Sequence, residues 1–144
     1  MEKILLSIGS NTFARTNIDK AKRMLTRIFP TIIFSTEITS PACGEKAIFP
    51  IRNILAKLTS ELSPNEIISK LKMIEGAIGR SHRDKYLKRV IIDIDLIVYG
   101  DEILRPEDFQ REYVQYLLTN FYTTCNSKST ENVWHQEVTP NVAT

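Results

Sequence analysis

Arg89-Val90-Ile91-Ile92-Asp93-Ile94-Asp95-Leu96-Ile97-Val98-Tyr99 is the stretch around which the rest of the chain is arranged. Its β-branched density, unbroken by Gly or Pro, predicts a buried strand. Residues i and i+2 of a strand share a face, so Asp93 and Asp95 project side by side while Ile92, Ile94 and Leu96 point the other way. Two carboxylates roughly 7 Å apart on a mostly apolar strand repel each other, and burying them without a partner is costly. A cation between them removes the conflict. A divalent metal is the simplest candidate, since magnesium is typically held by one or two carboxylates together with substrate phosphates. An exposed strand face whose acids pair with Lys and Arg accounts for the pair equally well, and the strand alone leaves both readings open.

The residues just before this strand are cationic. Arg80, His82, Arg83, Lys85, Lys88 and Arg89 stand against a lone Asp84. Over the whole chain the net charge is only +2, too weak to argue for a nucleic-acid or membrane partner. A length of 144 residues, 42% hydrophobic and 25% charged, is that of an ordinary single globular domain. Cys43 and Cys125 have no metal-ligand spacing and no disulfide framework, which fits a reducing compartment. The apolar run after Met1-Glu2-Lys3 is too short for a signal peptide, and no segment is long and apolar enough for a bilayer span. The expectation is a cytoplasmic, monomeric protein.

Earlier in the chain, Lys3 to Ile8 reads as a strand ended by Gly9-Ser10-Asn11. Ile18, Ala21, Leu25 and Ile28 form a helical stripe from Asn17, closed by Pro30. Ile32 to Ile38 alternates as a second strand, broken by Ser40-Pro41-Ala42-Cys43-Gly44. Arg52 to Leu62 is a third strand. Ser63-Pro64-Asn65-Glu66 starts a helix, with a Ser cap, Pro at its first position and Glu at its third. Ile67, Leu71, Ile74 and Ile78 carry that helix to Gly79, a stop. The order strand–helix–strand–strand–helix–strand predicts a ferredoxin-like α+β sandwich, a βαββαβ antiparallel sheet covered on one face by two helices. Glu107 to Phe121 is a candidate third helix with Phe109, Tyr113, Tyr116 and Leu117 as its stripe. Residues 1–122 are taken as the domain. Residues 123–144, rich in Thr, Asn, Ser and Glu, are taken as a disordered polar tail, Trp134-His135 included.

Gly9-Ser10-Asn11, Ser40-Pro41 with Gly44, Asn53, Ile74-Glu75 with Gly79-Arg80, and Asp93-Ile94-Asp95-Leu96 occur in this order over residues 3 to about 121. Together the set resembles the 6-hydroxymethyl-7,8-dihydropterin pyrophosphokinase family of folate biosynthesis, in a short variant. G-S-N and D-x-D are each common, and the resemblance lies in the ordered set. It implies a ferredoxin-like fold and transfer of the β,γ-diphosphate of ATP to the pterin hydroxymethyl oxygen, leaving AMP. Asp93 and Asp95 match the family's pair that holds two magnesium ions. Arg80, Arg83, Lys88 and Arg89 are the loop cations that would clamp the triphosphate. Glu75 matches a carboxylate near the nucleotide. Asn53 matches the residue that reads the pterin edge, with Pro41 and Gly44 in the same substrate site. Arg111-Glu112-Tyr113-Val114 resembles the ending of a further motif, so Arg111 would face the nucleotide and Tyr113 would stack on the pterin. The implied partners are therefore small molecules and Mg2+, with no nucleic acid and no membrane.

Each of these residues also has a plainer explanation. Arg80 can complement a helix C-terminus, Glu75 can be surface charge and Asn53 a strand-entry turn residue.

This sequence departs from the family pattern in three places. The family arginine three residues before the first Asp is Val90 here, with Arg89 one step away. One step in a strand reverses the face, so Arg89 can substitute only through a bulge or a register shift, and the bulge is the arrangement expected. The aromatic two residues before Asn53 is Ile51, with Phe49 out of phase. The family histidine is absent, and Arg105 occupies its place under one alignment. A catalytically weakened pterin- or nucleotide-binding paralogue is the alternative these departures raise. An RNA-binding module of the same element order would need stacking aromatics on its central strand, and residues 52–62 have none.

Overall fold

β1 (Glu2–Ser10) runs down the middle of the molecule with both of its long neighbours antiparallel to it. The computed structural model describes residues 1–40 and 49–121. On one side of β1 lies β4 (Ile51–Ser60), paired from Glu2↔Ser60 to Ser10↔Arg52. On the other lies β5 (Asp93–Tyr99). β2 (Ile33–Phe34) and β3 (Ile38–Ser40) both pair with the outer edge of β4, at Ala56–Lys57 and at Ile51–Asn53. β6 (Glu102–Ile103) closes the far side against β5. The six-stranded antiparallel sheet thus has the order β2-β4-β1-β5-β6, with β3 also paired to β4. The α+β architecture read from the sequence is the one observed.

α1 (Ala14–Ile28) and α2 (Pro64–Ile78) cover one face of the sheet. α2 starts with the predicted capping box: Ser63 Oγ accepts from the Glu66 N–H, and a Glu66 carboxylate oxygen accepts from the Ser63 N–H. It stops at Gly79, whose φ of 125° only glycine adopts readily. Ile18, Ala21 and Leu25 of α1 and Ile67, Leu71 and Ile74 of α2 meet Ile4, Leu6, Ile8, Ile54, Ala56, Leu58, Ile94 and Leu96 of the sheet. All are buried.

Five expectations need correction. The second strand is two short pieces, because Ser35 sits between them with its hydroxyl in the ladder. Its N–H donates to the Leu55 carbonyl while its Oγ accepts from the Leu55 N–H, taking the place a main-chain carbonyl would hold. The helix over 107–121 is likewise two, α4 (Pro106–Phe109) and α5 (Glu112–Thr119), separated by an extended Arg111 with ψ of 142°. Nor is the second face of the sheet bare. Phe109, Val114, Leu117, Leu118 and Phe121 pack there against Leu5, Leu55, Ile97 and Val98. Tyr116, expected in the apolar stripe, is exposed.

The fifth correction concerns the defining strand itself, which begins at Asp93 and not at Arg89. Lys88 has φ of 54°, a left-handed turn that redirects the chain. The peptide groups after it are held by the G-S-N segment. The Val90 N–H donates to Asn11 Oδ1 at 2.7 Å, the Asn11 N–H donates to the Val90 carbonyl at 2.8 Å, and Ser10 Oγ donates to the Ile91 carbonyl at 2.6 Å. With their partners supplied by Asn11 and Ser10, residues 90 and 91 need no ladder. β5 also carries a bulge. Leu6 pairs with Leu96 and Leu5 with Val98, so Ile97 is the extra residue. Asp93 and Asp95 therefore lie opposite Ile94 and Leu96 as predicted, while Val98 joins the second face. The proposed tail, with Trp134 and His135, lies outside the described residues, as do Pro41, Gly44 and both cysteines.

Candidate active site

The second face of the sheet is apolar only in part. Beside Leu5 and Leu55 the strands continue into Ser7 and Gly9 of β1 and Asn53 of β4, with Asp93 and Asp95 of β5 next to them. α5 covers the apolar part. What remains is a cleft of about 480 Å3, lined among others by Asn53, Ile51, Val90, Asp93, Asp95 and Tyr113. Asp95 is paired in register with Ser7, and Asp93 with Gly9.

Gly9 is the floor between the two sides of the cleft. It is in register with Asn53 on one strand and Asp93 on the other. A Cβ on it would come within 3.1 Å of Asn53 Oδ1 and 3.2 Å of the Ile51 side chain. Glycine is favoured there by this close approach and not by its backbone angles. Asn53 is buried, and its amide nitrogen donates to Ser40 Oγ at 2.8 Å and to the Ile51 carbonyl at 2.9 Å. Those two bonds hold the amide plane against the cleft. Tyr113 closes the opposite wall. Its OH is 3.4 Å from Ser7 Oγ, and burial pushes its hydroxyl pKa up.

Burial drives the Asp95 carboxyl up to about 7, and the neighbouring Asp93 charge adds to that push. Two carboxylates so placed repel each other, and a divalent cation relieves that conflict. No cluster of three or more potential metal ligands exists among the described residues. A pair of carboxylates completed by phosphate oxygens and water is nonetheless a common magnesium environment, so the residues present fit that ion.

Asp93 is tied to the helix layer. Arg80 Nη1 donates to Asp93 Oδ1 at 2.9 Å and to Glu75 Oε2 at 2.8 Å. The same Glu75 oxygen accepts from the Ile94 N–H at 2.7 Å. Burial raises the Glu75 carboxyl, although the Ile94 N–H and Arg80 oppose it. The Glu75 carboxylate is thus turned into the fold, where it links α2 to β5 between the two aspartates.

The basic loop is placed differently from expectation. Arg83 is exposed in a short helix, α3 (Arg83–Tyr86), and Lys88 forms the left-handed turn. Neither lines the cleft. The anticipated bulge that would turn Arg89 inward is absent. Arg89 Nε donates to Asp84 Oδ1 at 2.9 Å, and the Arg89 N–H donates to the Asp84 carbonyl. Asp84 is buried, which alone would raise its carboxyl, yet the Ser81 N–H and Arg89 hold it below its usual value. Val90 is the residue that lines the cleft at this point.

Arg111 does line the cleft, together with Asp108, a residue the sequence reading did not single out. Asp108 accepts from Arg111 Nε at 2.9 Å and from Arg105 Nε. The signal in the sequence was the spacing Arg105-x-x-Asp108-x-x-Arg111, where an acid lies three residues from each of two arginines.

Comparison with known proteins gives a consistent answer. The family model of 7,8-dihydro-6-hydroxymethylpterin-pyrophosphokinase (HPPK) matches residues 5–123. The 2-amino-4-hydroxy-6-hydroxymethyldihydropteridine pyrophosphokinase of Aquifex aeolicus is 34% identical over 108 residues, covering 74% of this chain and 67% of the relative. The protein of the same description from Porphyromonas gingivalis is 27% identical over 134 residues, 83% of this chain and 90% of the relative. The folate synthesis bifunctional protein of Chlamydia caviae is 30% identical over 112 residues, 73% of this chain and 25% of that longer protein. Among solved structures, the C-terminal domain of the MgtC protein from Mycobacterium tuberculosis shares 10% identity and a TM-score of 0.38 over 67% of this chain and 87% of that one. That last likeness is too weak to bear on fold or function.

Proposed function

The chain belongs to the 7,8-dihydro-6-hydroxymethylpterin-pyrophosphokinase family, the ATP-dependent diphosphotransferases of folate synthesis, and we propose that the cleft on the second sheet face is where it does this chemistry. In that reaction the pterin hydroxymethyl oxygen attacks the β-phosphorus of ATP. The bond from that phosphorus to the α,β-bridging oxygen breaks, AMP leaves, and the hydroxyl proton is released. Charge spreading over the phosphate oxygens must be neutralised and the two reactants held in line.

Asp93 and Asp95 are proposed to hold Mg2+, two ions in all. The metal would supply electrostatic neutralisation of the phosphates and a template for their orientation. Arg80 holds Asp93 in place from the helix side and, through Glu75, couples it to the backbone of Ile94. Asn53 is assigned to the pterin edge, with its Oδ1 as the acceptor, since Ser40 and Ile51 take the amide nitrogen's two hydrogens. Ile51 and Tyr113 form the walls for the flat ring. Pro41 and Gly44 stay assigned to the same substrate site on sequence grounds. Arg111 is assigned to the nucleotide, as are the loop cations Arg83, Lys88 and Arg89 once ATP draws the loop toward it. Residues 1–122 would carry the whole activity, in a cytoplasmic monomer with no nucleic-acid partner. No helix among the described residues is long and apolar enough to cross a membrane.

The observation that carries this reading is the joining of Asn53, Gly9, Asp93 and Asp95 across three adjacent strands in one cavity. A second reading has one observation in its favour. Val90 lines the cleft while Arg89 is held by Asp84, which suits a chain that binds Mg-ATP and pterin with little turnover. One assay separates the two. Protein, ATP, magnesium and 6-hydroxymethyl-7,8-dihydropterin should yield AMP and the pterin diphosphate in equal amounts. Binding of both ligands without AMP would favour the paralogue.

A further inference from the structure

Ser7 lies where the second face of the sheet changes character. Leu5, Ser7 and Gly9 follow one another on the same side of β1. Leu5 is packed under α5, and Gly9 is the floor beside Asn53. Ser7 is the step between them, 6% exposed and in register with Leu55 on one side and Asp95 on the other. An apolar side chain at this step would extend the packing under α5. A buried hydroxyl needs a hydrogen-bond partner instead, and Tyr113 supplies it, with its OH 3.4 Å from Ser7 Oγ.

Tyr113 stands in the first turn of α5, just after the extended Arg111, whose side chain does not cap the helix. Its ring packs against the apolar group under α5, while its hydroxyl crosses to the central strand. Ser7 and Tyr113 both line the cleft. Burial, helped by the charges of Asp108 and Asp95, pushes the phenol up from its ordinary range against the Ser7 bond and Arg111. The protonated phenol can donate to Ser7 or accept from it. The facing wall is aliphatic Ile51, so a flat ring held between the two stacks on Tyr113 alone. Stacking depends on the tilt and offset of the two planes, and whatever fixes the Tyr113 ring therefore fixes much of the fit. At 3.4 Å the bond is long, and bonds of this kind tighten once a ligand is bound.

We propose that Ser7 is a positioning residue of this protein, whose hydroxyl holds the Tyr113 ring in the plane that a bound pterin meets and so sets affinity for the pterin and not for ATP. The proposal rests on the pyrophosphokinase reading above and adds to it a residue that lies outside the ordered motifs, on the strand beneath the site. Ser7 acts through Tyr113. Without the serine hydroxyl the phenol stays in its apolar setting but loses its tie to β1, and the ring is free to tilt into the open cleft. The ordering that the bond provides in the free protein would then have to be supplied by the ligand as it binds.

The test uses the full chain and the variants Ser7→Ala, Ser7→Thr, Tyr113→Phe and the double variant Ser7→Ala with Tyr113→Phe. Affinity for 6-hydroxymethylpterin in the presence of the magnesium complex of α,β-methylene-ATP is measured by calorimetry, alongside both KM values and the melting temperature. Loss of one hydrogen bond between neutral groups should weaken pterin binding about three- to tenfold in Ser7→Ala and in Tyr113→Phe. The double variant should lose no more than about twofold beyond the weaker of the two, because both changes remove the same bond. The KM for ATP should move less than about twofold, and Ser7→Thr, which keeps the hydroxyl, should recover most of the pterin affinity. A purely structural role would lower the melting temperature and leave both KM values where they were. Pterin affinity of Ser7→Ala and Tyr113→Phe within about twofold of the parent would overturn the proposal. So would losses that multiply in the double variant, or equal shifts in both KM values. A parent chain that binds pterin but forms no AMP would sink the pyrophosphokinase reading, while the affinity comparison would still decide for or against Ser7. A parent that binds no pterin would overturn both.

Discussion

The two faces of the central strands are built to different rules. On the face under α1 and α2, Ile4, Leu6, Ile8, Ile54, Ala56, Leu58, Ile94 and Leu96 form an unbroken apolar surface, each residue no more than 4% exposed. On the other face the same three strands are apolar only under α5, and end in Ser7, Gly9, Asn53, Asp93 and Asp95. The first face has what stability requires, contiguous area removed from water. The second gives up part of that area to a group of polar side chains whose charges oppose one another. The fold is therefore carried mainly by one side of the sheet, which leaves the other free to hold chemistry that by itself destabilises.

That division can be broken from either side. The largest effect is expected at the aspartates. Asp95→Ala should lower turnover about a thousandfold or more, roughly 4 kcal/mol, while the melting temperature near neutral pH stays the same or rises. Activity near that of the parent would end the assignment of chemistry to the second face. Leu6→Ala, on the helix face, should do the converse. It should cost about 2–5 kcal/mol of stability, read by denaturant titration, with both KM values of the folded fraction unchanged. A large KM change would mean that the faces are not separable.

Gly9→Ala sharpens the comparison at the floor of the cleft. A new Cβ about to touch Asn53 Oδ1 must displace the amide, so the pterin KM should rise by about three- to tenfold, an overpacking effect of order 1 kcal/mol. The KM for ATP should move less, and equal changes in both would argue against Asn53 as the pterin reader.

Titration gives a smaller but signed effect. The Asp95 carboxyl is raised from its ordinary 3.8 to about 7 by burial and by Asp93. The folded metal-free protein therefore holds a proton there that the unfolded chain has released. Asp95's contribution to stability is complete below about pH 4 and is lost as pH climbs through about 7. Glu75, raised mainly by its burial, adds in the same direction. Without magnesium, melting should therefore fall between pH 5 and pH 7.5. Asp95→Asn should flatten that slope, and adding magnesium should restore more stability at the higher pH. A metal-free melting point that instead rises over this range would contradict a raised Asp95 carboxyl. The smallest change is expected on deleting residues 123–144, whose composition has too little apolar content to add to either face. Turnover should stay within about twofold of the full chain.

Much of this architecture was legible in the residues. The start of α2 could be read from Ser63, Pro64 and Glu66, and its stop from Gly79, because capping is completed within a few residues of chain. The common face of Asp93 and Asp95 followed from the two-residue period of a strand. Other features were not legible, and each depends on a partner far along the chain. Val90 leaves the ladder because Asn11, 79 positions earlier, supplies its hydrogen bond. Arg89 turns away from the cleft because Asp84, at the start of the same loop, is buried and accepts it.

By itself, then, the sequence determined the order of the long strands and helices, the apolar stripes of α1 and α2 and the position of the carboxylate pair, all properties with a range of one turn or one pleat. Only the tertiary structure decided which arginines face that pair, and that α5 covers half of a face expected to be bare. Ser7 and Tyr113, 106 positions apart, come within 3.4 Å across the cleft. Contacts of that reach arise from how whole layers pack, and no local period encodes them.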